Sequence, residues 1–154
     1  MRKKKIVNLI HAGTAIIFGL FFIYKGFIKL ISDKLKPVEL NKIINTIIDN
    51  GVYEPPVAYN IVMNTFKYSG FLDMISLIQI LAGFLIIIPL TRLIGVLVLL
   101  PIIFNIFFMH VFFDNRIGEN IETGILLVIN IFLCFYYQKH ILNLLIKTRS
   151  INTN

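Results

Sequence analysis

Four long apolar segments, Ile6 to about Ile31, about Gly70 to Leu90, Leu93 to Phe113 and Ile121 to about Ile146, are separated by polar breaks. At ~1.5 Å per residue, each is long enough to cross a ~30 Å hydrocarbon layer as a helix. Helices also satisfy their own backbone groups, which lipid cannot do. The second and third segments are joined by Pro89-Leu90-Thr91-Arg92, a tight hairpin. The third and fourth are joined by a short loop, Asp114 to Asn120. Only the first connection, residues 32–69, is long. Within it, Leu40, Ile43, Ile44, Ile47 and Ile48 recur at helical spacing after Pro37, and Gly51 follows. That spacing predicts an amphipathic helix. Pro55-Pro56 opens a second short segment with Val57, Ile61, Val62 and Phe66 as its apolar side. The pattern as a whole predicts an all-α membrane protein. It is a single domain, a bundle of four transmembrane helices, with outer amphipathic helices in the first loop that lie on the membrane or roof the bundle.

Composition supports the same class. Of the 154 residues, 57% are hydrophobic and 15% charged, and the mean hydropathy is +0.82. A soluble domain of this size has too little interior to hide so much apolar surface, and a disordered chain has far less of it. The start, Arg2-Lys3-Lys4-Lys5 before an apolar run, imitates a signal peptide. The run is too long for one and no A-x-A site closes it, so it reads as a retained first helix. Cys134 is the one cysteine, so the chain alone forms no intramolecular disulfide and carries no dithiol pair. Richness in Ile, Asn and Lys hints at an AT-rich bacterial genome.

Charge sets an expected orientation. With the N-terminus in the cytoplasm, the inner side holds Arg2, Lys3, Lys4, Lys5, Arg92, Lys139, Lys147 and Arg149. No acidic residue falls there, and every carboxylate lies outside or at the outer end of a helix. Lys and Arg divide eight against seven, with four cations flanking the first segment, which usually dominates. The expected topology therefore has both termini in the cytoplasm of a bacterial inner membrane. With a net charge of +7, the inner cations are expected to meet anionic lipid headgroups rather than nucleic acid.

Polar groups within membrane spans face the bundle interior by default. At 100° per residue, His11, Thr14, Lys25 and Lys29 share a stripe of the first helix, and Ser76, Gln79 and Gly83 share a face of the second. Thr123, Asn130, Cys134 and Tyr137 share a face of the fourth, and the third contributes Asn105 and His110. Gln79, Asn105 and Asn130 fall near mid-depth. These amides either glue helices together or line a pocket. Lys29 is expected to snorkel to the interface, whereas Lys25, which lies deeper, needs a carboxylate, with Asp73 nearest in depth. His110 and Asp114 have metal-ligand spacing, but two ligands do not make a site, and no metal is assigned. A haem between His11 and His140 is conceivable. Tyr24, Tyr136 and Tyr137 read as interfacial anchors, and Gly13, Gly19 and Gly26 as points of close helix approach.

The run Gln79-Ile-Leu-Ala-Gly83 through Pro89-Leu-Thr-Arg92-Leu-Ile-Gly95, with Leu100-Pro101-Ile-Ile-Phe-Asn105 and Met109-His110 to Asp114, resembles the DoxX family of small bacterial membrane proteins. The first helix ends Gly26-Phe27-Ile28-Lys29-Leu30, similar to the family's Gly-x-x-Lys-Leu ending. The resemblance covers all four spans and is weak in residues 32–69. Many relatives carry glutamate where this chain has Gln79. The resemblance implies a four-helix membrane bundle, a redox-associated role and a link to quinone. The expected function is thus an integral membrane subunit that binds a quinone or similar lipophile and works with a partner protein or a second copy. The candidate ligand-binding residues are Gln79, Asn105, Asn130, His11, Lys25, Asp73, His110 and Tyr137. No covalent cofactor is expected. Two alternatives stand beside it: a non-catalytic assembly or anchoring subunit, and a small-solute transporter. No dinucleotide fingerprint, P-loop, H-E-x-x-H motif or nucleophile triad is present.

Overall fold

The computed structural model describes residues 2–31, 45, 48–49, 57–139 and 141–143. Among these the chain is all-helical, without strands. Helix α1 spans Arg2–Ile31, α2 Val57–Tyr68, α3 Phe71–Ile87, α4 Arg92–Met109 and α5 Ile117–Tyr136. Three stretches, Lys4–Ile31, Arg92–Asp114 and Ile117–Tyr136, are long and apolar enough to cross a membrane. The pair α2 and α3 passes the same test together, bent by 81° at Ser69–Gly70. Gly70 takes a left-handed conformation, φ 75°, which only glycine adopts freely, and so permits that bend.

Helix α3 is the middle of the packing. Its Gly83 lies against Gly19 of α1 and its Ser76–Ile80 turn against Gly26. On its other side Ala82 and Ile86 meet Gly95 of α4. A Cβ at Gly19, Gly83 or Gly95 would sit 2.7 Å from a carbonyl oxygen of the facing helix, so the backbones approach as closely as they do only because side chains are absent. Gly13 differs from the expectation: a Cβ there meets nothing within 4 Å. It is exposed. Phe18, Phe22, Ile86, Leu99, Ile103 and Leu133 fill the core between α1, α3, α4 and α5.

The connections correct the sequence reading in three places. Arg92, expected among the surface cations, is buried. Its Nε donates to the Ile86 carbonyl at 2.9 Å and its Nη2 to the Ile87 carbonyl at 3.3 Å. These are the orphan acceptors at the end of α3, and a guanidinium satisfies them from the start of the next helix. The expected loop from Asp114 to Asn120 shrinks to two residues. Helix α4 continues into a π-helical turn, His110–Asp114, closed by an Asn115 N–H to His110 carbonyl bond of 2.7 Å. Asn115 then turns the chain at φ 51°, a left-handed state that asparagine tolerates, and α5 begins at Ile117. The last span accordingly starts four residues before Ile121, and α5 stops at Tyr136. In the first loop the second predicted segment forms α2. Leu40, Ile43, Ile44 and Ile47 of the first lie outside the described residues, and Ile48 is helical and exposed.

Candidate ligand-binding cleft

The end of the molecule that carries α2 and the π-turn holds a cleft of about 230 Å³. All five helices contribute to it. Phe21, Phe22, Ile106 and Leu126 form its apolar wall, and the polar groups gather opposite. Lys25 and Lys29, one turn apart on α1, both reach in. Lys25 Nζ pairs with Glu122 Oε1 of α5 at 3.0 Å and lies 5.3 Å from the centre of the Phe21 ring. Lys29 Nζ donates to Gln79 Oε1 of α3 at 3.1 Å. Gln79 itself is 1% exposed.

The π-turn supplies the third group. His110 Nδ1 and Asp114 Oδ2 are 2.9 Å apart, and Asp114 Oδ1 accepts from Arg116 Nε at 2.7 Å. The Asp114 side chain is fully buried and Arg116 half-exposed. The hydrogen bond to this carboxylate raises the Arg116 guanidinium above its ordinary value. An ionised carboxylate only accepts, so His110 must donate from Nδ1, and Nε2 is the ring nitrogen left for a ligand. Tyr59 of α2 covers His110, ring centres 5.0 Å apart. A smaller apolar chamber of about 90 Å³, walled by Met63, Phe66, Leu72, Ile75 and Met109, adjoins the cleft and shares Lys29, Tyr59, Ile106 and His110 with it.

Of the residues expected at a site, the cleft gathers Lys25, Gln79 and His110. Asp73 is not the partner of Lys25: it accepts from Lys67 Nζ at 2.9 Å and so ties α2 to α3. Lys29 does not snorkel away but turns back onto Gln79. Asn105 is exposed on the outer side of α4, and its Nδ2 donates to the Pro101 carbonyl one turn earlier at 2.9 Å. Asn130 is fully buried and donates to the Val96 carbonyl at 3.3 Å, a bond that joins α5 to α4. The three amides thus do not meet one another.

His11 and Tyr137 lie at the opposite end of the helices. The His11 ring stacks on Tyr136 at 3.8 Å between centres and meets the edge of Tyr137 at 5.3 Å. His11 Nε2 is buried, without a hydrogen-bond partner among the described residues. His140 lies outside the described residues. Among those residues no three His, Cys, Asp or Glu side chains come together as a metal site, and the His110–Asp114 spacing is a hydrogen-bonded pair.

Sequence reasoning missed Tyr59, Glu122 and Arg116 as cleft residues. Glu122 had a signal, since it sits near the depth of Lys25 with opposite charge. Tyr59 had none, because nothing in the sequence says where α2 folds back. Comparison of the chain with protein-family models, curated proteins and solved structures gave no match.

Proposed function

We propose that this chain is a DoxX-type four-helix bundle of the bacterial inner membrane, with both termini cytoplasmic, that binds a quinone or similar lipophile in the cleft and works with a partner protein. The observation that carries the reading is one cavity with two kinds of wall. Lys29 with Gln79, and His110 with Asp114, supply oriented polar atoms on one side, while Phe21, Phe22, Ile106 and Leu126 supply an apolar face on the other. Ligand sites are mostly apolar with a few placed polar groups, and a ring bearing carbonyl oxygens fits that division. In this reading the Lys29 ammonium donates to a carbonyl oxygen, and His110 Nε2 accepts from a hydroxyl at the same head. The Asp114 carboxylate fixes the tautomer that makes this possible. The cations near both termini and at the hairpin support the orientation, and in that orientation the cleft belongs to the outer leaflet.

The test is binding of a quinone analogue, measured beside thermal unfolding on the same protein. Gln79→Leu and His110→Leu are expected to abolish binding while the helices stay folded. Asn130→Leu is expected to keep binding, because Asn130 lies outside the cleft. Unchanged binding in a folded Gln79→Leu, His110→Leu double variant would end this reading and leave the non-catalytic assembly subunit in its place.

A further inference from the structure

The charges of the cleft do not cancel locally. Lys25 is matched by Glu122 at 3.0 Å. Arg116 is matched by Asp114 at 2.7 Å and reaches Glu119 at 3.8 Å. Lys29 has only the neutral oxygen of Gln79, and no carboxylate pairs with it among the described residues. An ammonium held partly out of water beside an amide is short of a counter-charge, and the carboxylate nearest Lys25 is already taken by Lys25 itself. The group that faces the cavity with this unmet charge also borders the second chamber. There the walls are apolar, Met63, Phe66, Leu72, Ile75 and Met109. The two spaces share Lys29 at their boundary.

We propose that the cleft selects lipophiles whose head carries an ionised oxygen, such as an acidic hydroxyquinone or phenol, over neutral isosteres. Lys29 makes the selection, and the apolar body lies toward the chamber between α2 and α3. This rests on the cleft being a lipophile site, and it names the charge class of the ligand. An N⁺–H···O⁻ hydrogen bond is roughly twice as strong as a neutral one, so the preference is large enough to read.

The experiment uses the full chain in nanodiscs of zwitterionic lipid, with empty nanodiscs as the partition control. Two probes of nearly equal size are compared near neutral pH: 2-hydroxy-1,4-naphthoquinone, which is ionised there, and neutral 1,4-naphthoquinone. The wild-type chain is expected to bind the anion at least ~10-fold more tightly, the equivalent of ~1.4 kcal/mol. Lys29→Met is expected to weaken both probes, the anion more because it alone loses a charge-assisted bond, and so to bring the two affinities within ~2-fold. Lys29→Arg is expected to restore the preference. Equal affinities in the wild type overturn the proposal and leave the cleft reading intact, as does a preference that survives in folded Lys29→Met. Binding of neither probe overturns both. The wild-type comparison stands whether or not the variants fold.

Discussion

Gly19 and Gly83 meet back to back, each so placed that a Cβ on it would lie 2.7 Å from the other's carbonyl oxygen. A Cβ carbon does not approach an oxygen so closely, and the obstacle is backbone rather than the end of a flexible side chain. Adding a methyl group must therefore push α1 and α3 apart. On helix propensity alone, glycine to alanine gains roughly 1 kcal/mol, whereas overpacking typically costs about 1–3 kcal/mol. Gly83→Ala is expected to lower the unfolding temperature. Gly13→Ala, on the same pair of helices but with open space around it, is expected to hold or raise it. Equal shifts in the two variants would show that the α1–α3 seam is not set by its glycines.

Two asparagines of similar depth make opposite use of their amides. Asn130 is spent between helices, on the Val96 carbonyl, and is fully buried. Asn105 is spent within its own helix, on the Pro101 carbonyl, and faces outward. Asn130→Leu is expected to lose an interhelical bond worth about 0.6–2 kcal/mol and to crowd the core. Asn105→Leu removes a polar group from an outward face and leaves a carbonyl that its helix bond already satisfies. It is expected to be neutral or stabilising in lipid. Thermal or chemical unfolding of both variants in the same bilayer mimic checks the order, and a larger loss for Asn105→Leu would contradict it.

These two residues also show how far the sequence could be read. The apolar helices were legible because their lengths match a bilayer, and lengths survive any packing. The buried faces of α1 and α3 were legible too, since polar and small residues mark them: His11 on α1, and Ser76, Gln79 and Gly83 on α3 are all buried. Helix α4 gave no such mark. It is apolar nearly all round, so nothing in its pattern distinguishes the core face of Val96, Leu99 and Ile103 from the face that carries Asn105. Partners were harder still. Depth made Asp73 the nearest carboxylate to Lys25, with Glu122 at the same outer end, and only the packing of α5 beside α1 decides for Glu122. Asp73 is instead claimed by Lys67, from a helix whose fold-back at Gly70 no periodicity records.

The buried carboxylate of the π-turn controls the tautomer of His110, and this can be read directly. Asp114 accepts from both His110 Nδ1 and Arg116 Nε. Asparagine has the same shape but one acceptor and one donor end. Its oxygen must face Arg116, which can only donate, so its amide N–H₂ faces His110. His110 can then meet it only by accepting at Nδ1, which moves the ring proton to Nε2. Nitrogen-15 chemical shifts of labelled histidine are expected to report an Nδ1–H ring in the wild type and an Nε2–H ring in Asp114→Asn. The substitution also weakens two charge-assisted bonds in a buried place, each worth about 1.5–3 kcal/mol, so a marked loss of stability is expected as well. The direction of the tautomer change separates a positioning role from a merely structural one, because loss of stability alone would leave the proton where it was. If the variant stays folded and still shows Nδ1–H, Asp114 does not orient His110, and the ring nitrogen offered to the cleft is set by something else.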